Sequence, residues 1–548
     1  MASKVVIKAL NIINDFLFQN YSNHELKIIQ NEINKIVNFD FNQVSATLKM
    51  CTYEELQSIL STLNEKESDR KSNGVYYTPN DVVKFILINS VKLSGGILKP
   101  NNVHVTDLNG VPYRKFCYEK TVYDPTCGSG AFLLETLETK LDLLELHNSS
   151  ITRNKIHQVI STINGNDLNK DSIIITKIRL LICVLHRYGV AKIKGISEIL
   201  NKHYANYDFV STKPDTTKQY DIILGNPPYV EDNNSESKPP ISFGNIYANV
   251  LENAALHLKP NGVIGFVIPL SYVSTPRMEK IRNKMFEYVA EQYLLSYSDR
   301  PDCLFTSVHQ KLCILFGKNS VTKRKVYTGN YRYWYREERQ DLFNTEQMIK
   351  NTKVSDGYIP KLGTKLDLSI YSKVTSKANS ILDLLENNID ENDNYLYLNM
   401  RATFWIKAFL NEHAGSEYKK FKFSNENDAK LCMCLLNSSL FWWYWISVSD
   451  CWHITRKELR GFTVPYIINF DEINRLAVNL ETKLEETKKY VGTKQTEYVY
   501  KHKDCLKEIH QIDDYINNLF GLTETESLYI KNFAFRYRVS GGTNNECN

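Results

Sequence analysis

Residues 226–229 read Asn-Pro-Pro-Tyr and follow directly on the apolar run YDIILG (220–225). Pro227 excludes Asn226 from the helical region, and Pro228 does the same to Pro227, so the stretch is stiff and extended. Its carbonyls stay outside any helix ladder and remain available as acceptors. Asn226 adds a side-chain carbonyl and Tyr229 adds a flat apolar face. Two fixed acceptors beside an aromatic plate suit a flat group that carries an NH2, such as the exocyclic amine of adenine. That nitrogen is a poor nucleophile because its lone pair is delocalised into the ring. Acceptors that pull on its hydrogens return density to nitrogen as a new C–N bond forms, which is preorganised electrostatics plus positioning.

A second constellation lies upstream. VYDPTCGSGAFLLETL (122–137) reads as a strand, then Asp124 to Gly130, then a helix. Gly128 and Gly130 permit a tight turn and the close approach of a ligand. No Lys-Ser or Lys-Thr follows them, so a Walker phosphate loop is excluded. Asp124 could hold an ammonium group or cap the helix. Asp167, in INGNDLNKD, is placed to end a second strand, where a carboxylate commonly holds ribose hydroxyls. Asp208-Phe209, in NYDFV, pairs a third acid with an aromatic. Each acid alone also reads as a surface residue, and the glycines as a plain strand–helix turn; their order along the chain is what joins them.

These residues need elements to hold them. Strand patterns occur at 121–125, 220–226, 262–269, 292–298 and 311–318, with helical segments between most of them and an extra helix expected near 151–162. Such alternation implies an α/β domain with a largely parallel sheet, and ligands bind beyond the carboxyl ends of such strands. Residues 1–70 read as helices, opened by the capping-box pairs Ser22/Glu25 and Thr52/Glu55. Residues 321–480 are mixed and aromatic-rich, and 481–548 turn helical and charged, ending in a tail expected to fray.

The combination resembles the gamma-class N6-adenine DNA methyltransferases of restriction–modification type. The order is Tyr-Thr-Pro (77–79), then the glycine turn, then Asn-Pro-Pro-Tyr, then a large C-terminal region. The resemblance implies S-adenosyl-L-methionine as cofactor and no metal. It implies a Rossmann-like seven-stranded methyltransferase sheet over 71–320, a helical N-terminal extension over 1–70, a mixed α+β target-recognition domain over 321–480 and a helical tail over 481–548. By similarity, Tyr77, Thr78, Pro79, Asp124, Thr126, Gly128, Gly130, Asp167, Leu168, Asp208, Phe209 and Asn226 should line the cofactor site. Asn226, Pro227, Pro228 and Tyr229 should hold the target base. Phe305, in DCLFTSVHQKLCILF, is the candidate for a second stacking aromatic; it reads equally as a strand-edge core residue. Val250 falls where related enzymes can carry a phenylalanine against the cofactor.

A methylase acting inside duplex DNA must extrude its base and know which one. VTKRKVYTGNYRYWYREERQ (321–340) interleaves Lys323, Arg324, Lys325, Arg332, Arg336 and Arg339 with tyrosines, which suits phosphates and bases but equally a solvated hairpin. In 437–465, Trp442, Trp443 and Trp445 can be core, whereas Ser449, His453, Arg456 and Lys457 are placed to meet DNA. Double-stranded DNA is the expected partner, with a separate endonuclease or specificity subunit possible. A net charge of +5 requires any basic surface to be local. No apolar run reaches the ~18 residues of a membrane span, no CxxC pair occurs among the eleven cysteines, and a bacterial cytoplasmic, nucleoid-associated protein is expected. A methyltransferase for RNA or protein glutamine, a modification subunit with a separate specificity chain, and a non-catalytic DNA-binding subunit remain as alternatives.

Overall fold

The computed structural model describes residues 3–41, 51–63, 77–305, 309–320, 323–355, 357–386, 394–467, 469–492 and 497–540. The first part of the motif region 72–86 and the tail after 540 lie outside the described residues.

A central sheet is built from β1 (Val122–Asp124), β2 (Ile163–Asn166), β3 (Tyr204–Ala205), β4 (Tyr220–Gly225), β5 (Leu258–Pro269), β6 (Glu291–Tyr297) and β7 (Leu312–Lys318). β8 (Lys325–Arg332) and β9 (Ile349–Lys350) extend it to the order β3-β2-β1-β4-β5-β7-β6-β8-β9. β1 to β5 run parallel, and β7 lies antiparallel between β5 and β6. The chain leaves β1 toward β2 in one direction and returns to β4 on the other side. The switch point therefore falls at the carboxyl ends of β1 and β4.

Both faces of the sheet are covered, so its central strands are apolar throughout. Ile222 and Leu224 pack on the face carrying the helix Asn80–Ser94, while Ile223 points to the face carrying Ile246–Leu256. The N-terminal helices Lys4–Asn20, Asn23–Ile36 and Tyr53–Thr62 join the helices Ala131–Leu146 and Lys170–Tyr188 in one apolar cluster. Both expected capping boxes form.

The sheet does not stop at residue 320. β8 pairs in parallel with β6 and buries Val326 and Thr328 in alternation, then Tyr331 after a register shift opposite Leu294 and Ser296. Tyr333 and Trp334 are buried as well. The basic and aromatic stretch 321–340 is thus largely a strand and loop of the central sheet, not a solvated hairpin. Beyond it, a small sheet of β10 (Asn394–Asn399), β11 (Ala408–Phe409) and β12 (Tyr418–Phe423) packs with the helices Glu426–Asn437 and Ser439–Val448. That helix pair is apolar enough to resemble a bent membrane span, but its apolar side chains, including Trp442, Trp443 and Trp445, are buried against protein. No single helix among the described residues is long and apolar enough to cross a membrane. The helix Leu506–Leu519 buries Ile509, Ile512 and Ile516 in the same core, so the C-terminal region is integral to it.

Candidate active site

β1 ends in Asp124 and β4 in Gly225, and the two meet side by side. A Cβ at Gly225 would lie 2.7 Å from Asp124 Oδ1, so only glycine lets the strands close here. Asn226 follows at once. Its Nδ2 donates to Thr78 Oγ1 at 3.0 Å, joining the Tyr-Thr-Pro segment to the Asn-Pro-Pro-Tyr segment across 148 residues of chain. Pro79 precedes the helix Asn80–Ser94, and the Tyr77 hydroxyl donates to Asn80 Oδ1 at 2.8 Å.

The glycine turn is fixed from several sides. Gly128 N–H donates to Asp167 Oδ2 at 2.8 Å, and Asn169 N–H to Asp167 Oδ1 at 2.8 Å, so Asp167 ties the end of β2 to the turn. Gly130 sits at φ +84°, and a Cβ there would meet Thr176 at 2.6 Å. Thr176 Oγ1 donates to the Gly128 carbonyl at 2.9 Å. The buried Arg179 donates to the Ser129 carbonyl and, at 2.9 Å, to Gln57 Oε1; Ser129 Oγ donates to the Ser61 carbonyl at 2.7 Å. The helix Tyr53–Thr62 therefore braces this turn. Burial lowers the Arg179 guanidinium to about 10.

The same turns depend on residues that sequence reasoning missed. Asn166 donates to the Pro125 and Tyr207 carbonyls, at 3.1 and 3.0 Å, and Asn206 to those of Asp167 and Leu168, each at 2.8 Å. Asn repeatedly following or ending a strand is the only sequence signal for them. Arg339, grouped with the DNA-facing cations in the sequence, instead clasps Asp81 with two bonds of 2.6 and 3.0 Å and takes the Leu304 carbonyl at 3.0 Å. It ties the segment after β8 to the helix that follows Tyr-Thr-Pro.

Several expected positions differ. Phe305 is 1% exposed within the core, so in this structure it is not an open stacking plate. Phe209 is 5% exposed, its ring packed near Tyr123 and His257, and Asp208 accepts from Val210 and Ser211 N–H at 2.9 and 3.1 Å as a turn cap. Those hydrogen bonds outweigh burial and lower the Asp208 carboxyl. Val250 is fully buried. Lys323, Arg324 and Lys325 stand at the amino-terminal end of β8, level with Glu291 of β6. That is the sheet edge opposite Asn226, ~20 Å away by the rise of β6, and Arg324 lies on the Phe286 ring at 3.5 Å. Ser449 is buried, and its carbonyl accepts from Lys361 at 2.7 Å. Lys457 donates to the Ser274 and Val448 carbonyls, both at 2.7 Å, and pairs with Glu458, so it is a brace between regions. His453 and Arg456 remain exposed, with His453 Nδ1 3.0 Å from Asp450.

Tyr229 is half-buried, and its hydroxyl donates to the Val267 carbonyl of β5 at 2.9 Å, which sets the plane of the ring. The groups at the carboxyl ends of β1 and β2 fit a cationic, polar cofactor. Asp124 is 1% exposed, and burial drives its carboxyl well above the ordinary range, so a cation arriving there regains a large electrostatic term. Burial likewise raises Asp167. Thr126 Oγ1 is buried without a hydrogen-bond partner among the described residues, a further polar atom awaiting one. Leu168, 55% exposed, adds apolar surface at the end of β2.

A mostly parallel sheet with β7 and β9 reversed, an acid at each of the first two strand ends and Asn-Pro-Pro-Tyr at the fourth define a class, and residues 53–380 match the N-6 DNA Methylase family; the chain belongs to it. S-adenosyl-L-methionine is the cofactor of that chemistry. The modification methylase CviBIII of Paramecium bursaria Chlorella virus NC1A is 29% identical over 167 residues, covering 28% of this chain and 41% of that protein. The type II methyltransferase M.BanIII of Aneurinibacillus aneurinilyticus is 26% identical over 308 residues, covering 53% and 46%. The chain thus spans less than half the length of these curated relatives. Among solved structures, the type IIL restriction-modification enzyme MmeI in complex with DNA matches with a TM-score of 0.54 at 12% identity, over 90% of this chain and 82% of that one, a likeness of fold.

Proposed function

We propose that the chain is a site-specific, adenine-specific DNA methyltransferase that places a methyl group on N6 of an adenine flipped out of duplex DNA, within a restriction–modification or epigenetic system of the cytoplasm. The observation that carries this reading is the Asn226–Thr78 hydrogen bond. With Nδ2 donating to Thr78, Oδ1 becomes the accepting atom of the amide and turns toward the target amine.

S-adenosyl-L-methionine supplies, when bound, an activated methyl group on a sulfonium centre. The chain's own residues do the rest. Asp124 receives the ammonium of the cofactor, Asp167 its ribose hydroxyls, and Thr78 and Pro79 flank its methionine end, with Tyr77 and Thr126 beside them. Asp208 and the backbone around Phe209 face its adenine. Asn226 Oδ1 and the Pro227 carbonyl would accept the two hydrogens of the target NH2 and enrich its nitrogen for attack. Neither carbonyl keeps a proton, so the one released from the methylated amine passes to water, and no base with a special pKa is needed before attack. Pro228 stiffens the seat and Tyr229 stacks on the extruded base, worth roughly 1–3 kcal/mol. Residues after β9, about 357–467, read the sequence around the target, with His453 and Arg456 among the exposed candidates.

Offering duplex DNA, RNA and protein to the purified chain with radiolabelled S-adenosyl-L-methionine tests the reading. Transfer to duplex DNA, sited at adenine N6, is the expected result. Label confined to RNA or to protein glutamine would replace it.

A further inference from the structure

β6 and β7 are joined at the carboxyl edge of the sheet, since Tyr297 pairs with Leu312 and Leu312 with Pro269 at the end of β5. Arg300 and Lys311 lie in that connection, on the same edge as Asn226. Trp452, from the turn after the helix Ser439–Val448, comes against them. Three cations gather about its indole: Lys311 Nζ at 4.6 Å, the Arg300 guanidinium at 5.5 Å and that of Arg401 at 5.7 Å from the ring centre. The adjoining strand bridge Arg401–His453 fixes the last of these beside the ring.

The pairing there leaves one guanidinium over. Lys311 pairs with Asp299 at 3.3 Å and Arg401 with Glu417 at 3.1 Å, while Asp450 is taken by His453. Arg300 has no carboxylate partner among the described residues, and its Nε is buried without an acceptor. Like charges converging on one ring repel each other, and the face of an indole returns only ~0.5–1 kcal/mol per cation at exposed sites. Arg300 is the cation of this cluster with no carboxylate against it among the described residues, so its donors are the ones left for an outside anion. Fixed guanidinium donors beside a half-exposed aromatic plate match a phosphodiester, which takes a planar fork bidentately, with its sugar against the ring.

We propose that Arg300, Arg401 and Trp452, with Lys311 behind them, form a phosphate clamp for the DNA backbone next to the extruded base, bridging the catalytic sheet and the C-terminal region. The clamp rests on the DNA reading above. It replaces Lys323, Arg324 and Lys325, which lie at the wrong edge of the sheet, as the source of affinity. Phosphate contacts position the duplex and carry no sequence information.

The test uses the full chain and a fluorescent duplex, with anisotropy read across about 50 to 200 mM salt. Arg300→Gln should weaken binding to any sequence alike and lower the slope of log K against log salt by about 0.9, and Arg300→Gln/Arg401→Gln by nearly twice that. S-adenosyl-L-methionine affinity and the methylated motif should stay as in wild type. Wild-type binding and slope in both variants, with or without a lower melting temperature, would make the cluster a structural brace and overturn the proposal alone. A wild-type chain that binds no duplex would overturn both the clamp and the DNA reading. A changed motif in Arg300→Gln would also overturn the clamp, since it would make Arg300 a base reader.

Discussion

Asn226 is held by a partner that can itself be tuned. Asn226→Ala should lower methyl transfer by roughly 10²–10³-fold, the scale of losing one oxyanion-type donor, while S-adenosyl-L-methionine binding persists. Thr78→Val removes the acceptor for Asn226 Nδ2 and should lower turnover, whereas Thr78→Ser restores the hydroxyl and most of the rate; equal rates in both variants would detach Thr78 from the amide. Asp124 makes a second prediction through pH. Burial holds its ligand-free carboxyl well above the usual range, and a bound ammonium pulls it back down. Between those two values cofactor binding releases a proton, so affinity rises with pH up to the ligand-free value and then levels. By the same shift, the stability of the empty protein falls as pH rises through that value. Asp124→Asn should weaken binding and flatten its pH dependence, and calorimetry in buffers of different ionisation enthalpy reads both. An unchanged proton release in that variant would move the ammonium elsewhere.

At the scale of elements, the sheet was the most legible part of the sequence. Apolar runs ending in Asp124 and in Gly225-Asn226 carry strand and site together, because a buried strand needs continuous hydrophobes and a site at its end needs glycine and polar atoms. β8 was hidden because its alternation breaks at a register shift after Thr328, with Tyr331 inward and Lys325 and Arg332 at its ends, a composition shared with a solvated hairpin. Arg339 was misread for the same reason: composition cannot distinguish a phosphate-seeking cation from one paired with Asp81. That pair yields an element-scale test. Arg339→Gln should cost roughly 1.5–3 kcal/mol, as for hydrogen bonds to a charged group, and should loosen the helix Asn80–Ser94 and the connection through Leu304. Urea unfolding measures the cost. Hydrogen exchange localised to that helix and connection separates a local effect from a global one; uniform protection would deny Arg339 its positioning role.

For the whole molecule, the functional division does not coincide with a cut at residue 320, because β8 and β9 complete the sheet on which the site stands. A chain ending near 320 would leave β6 with an open edge and remove the cover of Tyr331 and Trp334, so it should aggregate or melt far below the full chain. A well-folded, cooperative fragment in a thermal scan would contradict this. The reading region could be placed in outline because catalysis was complete before it, but not residue by residue: Ser449 and Lys457 looked polar and available, but Ser449 is buried with its hydroxyl accepting from Cys451 N–H and Lys457 is consumed by two backbone carbonyls. The account as a whole stands on one chemical outcome. Duplex DNA of mixed sequence, treated with wild-type chain or Asn226→Ala and S-adenosyl-L-methionine, would be digested to nucleosides and read by mass spectrometry. The account predicts N6-methyldeoxyadenosine from the wild type and almost none from the variant. Cofactor binding by the wild type with no N6-methyldeoxyadenosine, or with the methyl group on cytosine, would contradict it.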